Sequence, residues 1–505
     1  MSASCPTMTS RRISPCCSWM RRPMNNLHLL DLWQASAAIA EGRVTSVALT
    51  ESALRRIEEL NGTLNCFIRV DATEALETAH ERDRELAAGH SRGPLHGIPL
   101  AHKDMFDRAG HVSTGGTKIL RDRVADETST VLERLDAAGA VDLGGLHMSE
   151  FAAGPTGHNV HYGACRNAYD QDRVSGGSSS GSGTAVGARL VYGALGSDTG
   201  GSIRLPAAAN GLVGLKATYG RVSRHGAVAR SWSLDHIGPL ARTVRDAALI
   251  FQAIAGPDPR DPTTAHQPPF TLPEFRADQD LKGLRVGVPG DEALASVHPE
   301  VRAALEESLR VLERLGATIK RTRLPDLKPL YSAAETIIKS EAAAMHRQWL
   351  ASRPQDYASN VRVRIEAGLA ITAAQYIDAL RLRTHFTRDF LHNTMDGIDV
   401  LHLPTIPFPV PRIEDTDVEA ATGERVLEVV SGMTQFTRPI SLLGLPSLNL
   451  PCGFSSDGLP MGFQLIGRPF AEARLFVVGH AYQTATDFHR QAPPVAERTS
   501  RATAE

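Results

Sequence analysis

The stretch SGGSSSGSGTAVGARLVYGALGSDTGGSIRLP (175–206) decides how the rest of the chain is read. A Gly/Ser tract is the composition of a flexible linker, because it has high chain entropy and little to bury. Here the tract runs straight into the apolar TAVGARLVYGAL (184–195) and then into a second glycine cluster, GSDTGG (196–201). The tract is therefore either a tether in an odd place or a shaped loop inside a packed domain.

The flanking sequence alternates helix and strand. TSVALTESALRRIEELNG (45–62) places Leu49, Ala53, Ile57 and Leu60 on one stripe and predicts an amphipathic helix stopped by Asn61-Gly62. GIPLAHKDMFD (97–107) reads as a short buried strand ending in polar residues. TSTVLERLDAAGAVDLGGL (128–146) reads as helix, Gly139, then strand, and LKGLRVGVPGD (281–291) opens a further strand. VHPEVRAALEESLRVLERLG (297–316) predicts a helix with Val301, Leu305, Leu309 and Leu312 inward and Gly316 at its end. Residues 330–392 read as largely helical, and strands return in IDVLHLPTIPFPVP (398–411). This alternation argues for an α/β layered fold. GPDPRDPTTAHQPPFTLPEFRADQD (256–280) is a surface loop or a boundary, but it divides no two independent cores. One large α/β/α domain with a central mixed, twisted sheet covered by helices is the expected architecture, spanning residues 24–490.

Composition narrows the function classes. With 505 residues, 42% hydrophobic and 22% charged, the chain can build a substantial core. A net charge of −2 offers no global attraction to nucleic acid or an acidic membrane surface. No apolar run approaches the ~18 residues of a membrane span. Cys5, Cys16, Cys17, Cys66, Cys165 and Cys452 form no CxxC pair, which fits a reducing, cytoplasmic setting better than a disulfide framework. Residues 1–23 carry Arg11, Arg12, Arg21 and Arg22, and no acidic residue precedes Asp31. SRRI (10–13) is a faint twin-arginine match, but an export signal needs an apolar region of about 7–15 residues, and Pro15, Arg21, Arg22 and Pro23 interrupt it. These residues are expected to be a disordered extension or the product of a start placed before Met24. Residues 491–505 are expected to be a disordered tail.

Several chemistries can be weighed from the residues. HNVH (158–161) offers two histidines but no third ligand, so no metal is expected. Lys216 in GLVGLKAT lacks the spacing of a phosphate loop. GSSSG (177–181) fits GxSxG with Ser179 at a nucleophile elbow, yet the preceding CRNAYDQDRV (165–174) is polar and turn-like where that elbow needs a strand. A third reading joins both glycine clusters to GIPLAHKD: Ser178 lies in the first, Ser202 in the second, and Lys103 ends an apolar strand.

Those three segments, with SLDHIGPLARTVRDAA (233–248), FTRPISLLGLPSLNLPCGF (436–454) and GLPMGFQLIGRPFAEARL (458–475), resemble the amidase-signature hydrolases across most of residues 27–485. The resemblance implies a catalytic triad of Lys103, Ser178 and Ser202, with Ser202 the nucleophile and a cis peptide bond between Gly177 and Ser178. It implies an oxyanion hole from the backbone amides of Thr199, Gly200, Gly201 and Ser202, and supporting roles for Ser179, Asp198 and Arg204, the last of which could simply pair with Asp198. No cofactor is implied. Lysine accepts a proton only when neutral, and burial at the end of GIPLA favours that form.

Ala168 and Ala217 replace prolines common in this family, and His147 stands where an asparagine is usual, either near the pocket or in a structural hydrogen bond. The implied reaction is hydrolysis of a small, non-ionic aliphatic or aromatic carboxamide to an acid plus ammonia or amine. Carbamate or urea cleavage is the alternative, and glutaminase action within a tRNA-dependent amidotransferase a second. Against that second alternative, EVVSGMTQFTRP (428–439) lacks an expected acidic, Tyr-containing segment. A small-molecule amide is the expected partner, with no nucleic acid and no membrane, and a homodimer is left open. Substrate choice is assigned to residues 310–435, where Tyr331, Trp349, Tyr357 and Tyr376 serve either an apolar channel or helical core.

Overall fold

The computed structural model describes residues 26–417 and 424–496. The expected N-terminal extension lies outside the described residues. The expected tail is described only as far as Ala496, and there Val495 and Ala496 are buried.

Among the described residues ten strands form one sheet: β1 (Pro99–Lys103), β2 (Val141–Leu146), β3 (Gly193–Asp198), β4 (Val213–Lys216), β5 (His236–Ala241), β6 (Arg285–Pro289), β7 (Thr318–Thr322), β8 (Val400–Pro404), β9 (Ser447–Phe454) and β10 (Pro460–Gly467). Their order across the sheet is β2-β1-β3-β5-β4-β9-β10-β8-β6-β7. The two ends are parallel (β2-β1-β3 and β8-β6-β7) and the middle is antiparallel, so the sheet is mixed.

Successive strand residues face opposite sides of a sheet, and the core follows that rule. Leu100, Leu195 and Ala241 belong to the larger hydrophobic cluster, whereas their neighbours Ala101, Ala194 and Leu240 belong to a second. Helices Val244–Ile254, Pro299–Arg314 and Glu472–Thr484 fill the first side, and Ser180–Gly187 packs on the second. The layering expected from the helix–strand alternation is therefore present.

Local signals place these elements to within a few residues. The helix expected at 45–62 is Ser46–Leu64: Thr45 caps it by accepting from the Ala48 amide, and it runs through Gly62 until Asn65 takes the left-handed conformation. The helix expected at 297–316 is Pro299–Arg314, with Val301, Leu305 and Leu312 buried and Leu309 half-buried. The proline-rich 256–280 segment is held on the core, where Phe270 meets Phe251 and Phe476 edge-on at 4.8 and 5.8 Å.

Candidate active site

Burial decides between tether and shaped loop. Every residue from Val174 to Ala188 is buried, and Ser180–Gly187 is a helix packed beneath β1 and β3. This Gly/Ser tract is core. Small residues are needed because backbone comes close: a Cβ on Gly177 would lie 2.7 Å from the Gly154 carbonyl oxygen and 3.0 Å from the amides of Thr156 and Gly157. The Gly177–Ser178 peptide bond is cis, as the resemblance implied.

The parallel pair β1 and β3 brings two sequence-distant ends together. Lys103 is the last residue of β1 and Asp198 the last of β3, and the carboxyl ends of parallel strands are where such sheets bind ligands. Lys103 is 1% exposed; its Nζ lies 2.7 Å from Ser178 Oγ and 2.8 Å from Ser197 Oγ. Burial pushes the Lys103 amine down to about 7, with Asp235 and Asp198 opposing the shift. Near neutral pH a large fraction of this amine is therefore uncharged and able to take a proton.

Ser202 is partly exposed and lines a cavity of about 390 Å³. Its carbonyl accepts the Ser179 amide at 3.3 Å, so the two glycine-rich loops touch. Among the described residues no hydrogen bond joins Ser178 Oγ to Ser202 Oγ. Of the two contacts that would link Lys103 to Ser202 through Ser178, Lys103–Ser178 is made, and among the described residues no Ser178–Ser202 hydrogen bond is.

The turn carrying Ser202 is tied down by an ion pair with no solvent exposure. Arg204 Nε and Nη2 donate to Asp198 at 3.0 Å each; Nη2 also reaches the Thr437 carbonyl and Ser441 Oγ, and Nη1 reaches Gln464 Oε1 on β10. This arginine holds the Asp198 carboxyl well below the usual range despite full burial. The Gly201 amide, expected to share the oxyanion hole, instead donates to Asp198 Oδ1 at 2.7 Å. The chain reverses immediately after β3, and the carboxylate caps that reversal. Gly201 contributes conformation: its φ is +135°, and a Cβ there would lie 2.4 Å from Thr437 Oγ1. Among the described residues no hydrogen bond engages the amides of Thr199, Gly200 or Ser202.

The competing motifs resolve into structural roles. Ser179, the elbow candidate, is buried; its Oγ donates to the Ser197 carbonyl at 3.3 Å and accepts the Ser197 amide at 3.2 Å, and the preceding 165–174 segment contains no strand. His158 and His161 diverge, one to Thr416 Oγ1 (2.9 Å), the other to Glu150 Oε1 (3.0 Å). Among the described residues no group of three His, Cys, Asp or Glu side chains is placed to hold a metal ion. His147 is buried, lowered to about 4 by desolvation, and sits between Ser180 Oγ and the Gly163 carbonyl. Among the described residues no helix is long and apolar enough to cross a membrane.

Two parts of the site carry little sequence signal. One is Ser197, the second partner of the amine, marked only by a hydroxyl in the otherwise apolar GALGS. The other is the outer wall of the cavity. Tyr331, Glu335, Ile338 and Lys339 line it from one helix, Leu327–Ser352, at spacings that share a face. Arg230 comes from the β4–β5 loop, Arg364 from Ser359–Glu366, Leu427 and Glu428 from Glu424–Gly432, and Arg438 from the start of Arg438–Leu443. Of the four aromatics considered for a channel, Tyr331 alone lines this cavity. Trp349 and Tyr357 pack around Phe151 and His346, and Tyr376 donates to Glu341.

The amidase family model matches residues 48–476. A glutamyl-tRNA(Gln) amidotransferase subunit of Symbiobacterium thermophilum is 39% identical over 487 residues, covering 91% of this chain and 97% of that protein. A solved structure described as revealing the evolutionary origins of an s-triazine catabolic enzyme superposes with a TM-score of 0.83 at 35% identity, over 90% of this chain and 98% of that one. Native peptide amidase from Stenotrophomonas maltophilia gives 0.79 at 31% identity, over 93% and 99%. The chain belongs to the amidase family, and is an enzyme of that family.

Proposed function

We propose that this amidase-family enzyme hydrolyses a carboxamide C–N bond through an acyl-enzyme on Ser202. The observation that carries the reading is the buried amine of Lys103, 2.7 Å from Ser178 Oγ, at the root of the loop that presents Ser202 to the cavity. A neutral Lys103 takes the proton of Ser178, Ser178 takes that of Ser202, and the freed Ser202 Oγ adds to the amide carbon. Substrate binding closes the open Ser178–Ser202 contact, since catalytic hydrogen bonds are often long until substrate arrives. The oxyanion is received by the amides of Thr199, Gly200 and Ser202, which are unengaged in the resting site. The proton then returns through Ser178 to the leaving nitrogen, because an amide ion is not expelled. The C–N bond breaks, and ammonia or amine departs. Water, deprotonated by the same relay, cleaves the ester and restores Ser202.

A second reading is glutaminase action within a tRNA-dependent amidotransferase that works with partner subunits. It is supported by the amidotransferase relative, which matches this chain over nearly its whole length. The two readings part on one experiment: ammonia and amine release by the isolated chain across primary amides, anilides, carbamates, ureas and glutamine, beside co-purification from its own cells. Turnover of simple amides by the isolated chain supports the first reading. Glutamine turnover that appears only with stably bound partner subunits supports the second.

A further inference from the structure

Among its described lining residues the cavity at Ser202 carries more cationic than acidic side chains. Four cationic side chains, Arg230, Lys339, Arg364 and Arg438, line it against two carboxylates, Glu335 and Glu428. Glu335 is already engaged: Arg438 Nη1 reaches it at 2.5 Å and Lys339 Nζ at 3.1 Å. Arg364 is anchored through Nη1 to the Ala153 carbonyl. Arg230 differs from the others. It is 7% exposed, its side chain makes no ion pair among the described residues, and its Nη1 is buried without any hydrogen-bond partner. A buried guanidinium nitrogen without an acceptor is destabilising and is seldom kept unless something completes it. A second donor is equally unused: Arg438 Nε is buried without a partner and would lie 3.0 Å from a Cβ on Gly200, beside the oxyanion turn. The Arg438 guanidinium carbon lies over the Tyr331 ring, 4.5 Å from its centroid.

We infer that the substrate is a carboxamide carrying a carboxylate, and that Arg230, with the free edge of Arg438, is the subsite that receives it. The inference rests on the reading that Ser202 hydrolyses amides, and it replaces the non-ionic substrate expected from sequence. A guanidinium presents paired donors that match the two carboxylate oxygens. Glu335 stays with Arg438 Nη1 and Lys339, so the incoming anion meets Arg230 without displacing an internal partner. Arg230 is a specificity residue; the bond-breaking chemistry stays with Lys103, Ser178 and Ser202.

The test uses matched substrates of nearly equal length, glutaramate (amide plus carboxylate) and valeramide (amide plus methyl), with ammonia release as readout. The wild type is expected to prefer glutaramate in kcat/KM by about 10²-fold. Arg230→Gln is expected to collapse that preference by about 10²-fold, mainly through KM, and Arg230→Lys to restore part of it. Calorimetric binding of glutarate to Ser202→Ala, with and without Arg230→Gln, reads the subsite without turnover, and the arginine is expected to tighten it at least about tenfold. Equal use of the two amides by the wild type, or glutarate binding indifferent to residue 230, overturns the inference while leaving amide hydrolysis standing. Undiminished glutaramate turnover by Ser202→Ala, or failure of a serine-directed fluorophosphonate to label Ser202 in the wild type, overturns the hydrolytic reading, and the inference with it.

Discussion

The two walls of the cavity are built on opposite principles. On the inner side Ser202 faces the cavity, and behind it Lys103, Ser178 and Ser197 are buried on backbone that strand ends and a buried helix hold in place, with Asp198–Arg204 beneath. The outer wall consists of long charged side chains carried on helices and loops spread from residue 230 to residue 438. Chemistry on an amide demands atoms fixed to within fractions of an ångström, and only the inner wall supplies that. Recognition tolerates longer, re-aimable side chains, and the outer wall supplies those. The chemistry we propose and the recognition we infer are therefore separated in space.

The largest effect expected on the inner wall is from Ser202→Ala. It should lower turnover of every amide by at least about 10⁴-fold and abolish the acyl-enzyme mass adduct. Retained turnover would mean that the two walls do not divide the labour as described.

Lys103→Ala should lose about 10³- to 10⁴-fold on amides. In the wild type kcat/KM should rise with pH through about 7, as this amine loses its proton. The same shift fixes a stability slope. Between pH about 7 and 10.5 the folded protein holds fewer protons at residue 103 than the unfolded chain. The unfolding free energy of the wild type relative to Lys103→Met should therefore climb across that interval. Parallel denaturant titrations at several pH values check the sign.

Arg204→Leu strips the counter-charge from a buried Asp198 and should destabilise the fold by about 3–5 kcal/mol, read as a lowered denaturation midpoint. A loss under about 1 kcal/mol would mean that the turn holding Ser202 is secured elsewhere. Ser197→Ala is the mildest of the set. It removes one of two oxygens within reach of the Lys103 amine, and should cost about 10-fold in kcat/KM while shifting the acid limb of the pH profile. An unchanged limb would make Ser197 a spectator and leave Ser178 as the sole partner of the base.

Legibility followed the same division. The segment 97–107 could be read as a strand ending at Lys103 because a run of buried positions precedes a polar break. The two glycine clusters were legible because tight backbone approach restricts residue choice to Gly, Ala and Ser over a continuous run. Asp198 and Arg204, six residues apart, are legible as a pair, and the structure joins them. The assignment of Gly201 to the oxyanion failed on a detail of one turn: which amide a capping carboxylate takes depends on the angle at which the chain leaves β3. The outer wall was hidden because Arg230, Glu335 and Arg438 share no motif, and each by itself reads as an ordinary surface charge.

The amino-acid sequence by itself determined the layered α/β architecture, the family and the small-residue loops, because hydrophobic period and steric exclusion act over neighbouring residues. Only the tertiary structure decided that the Lys103 amine is buried enough to sit near neutrality, that Ser197 joins Ser178 beside it, and that Arg230 lines the cavity with no ion-pair partner among the described residues. Those properties depend on which distant segments exclude water from a given atom, and the sheet order β2-β1-β3-β5-β4-β9-β10-β8-β6-β7 sets that.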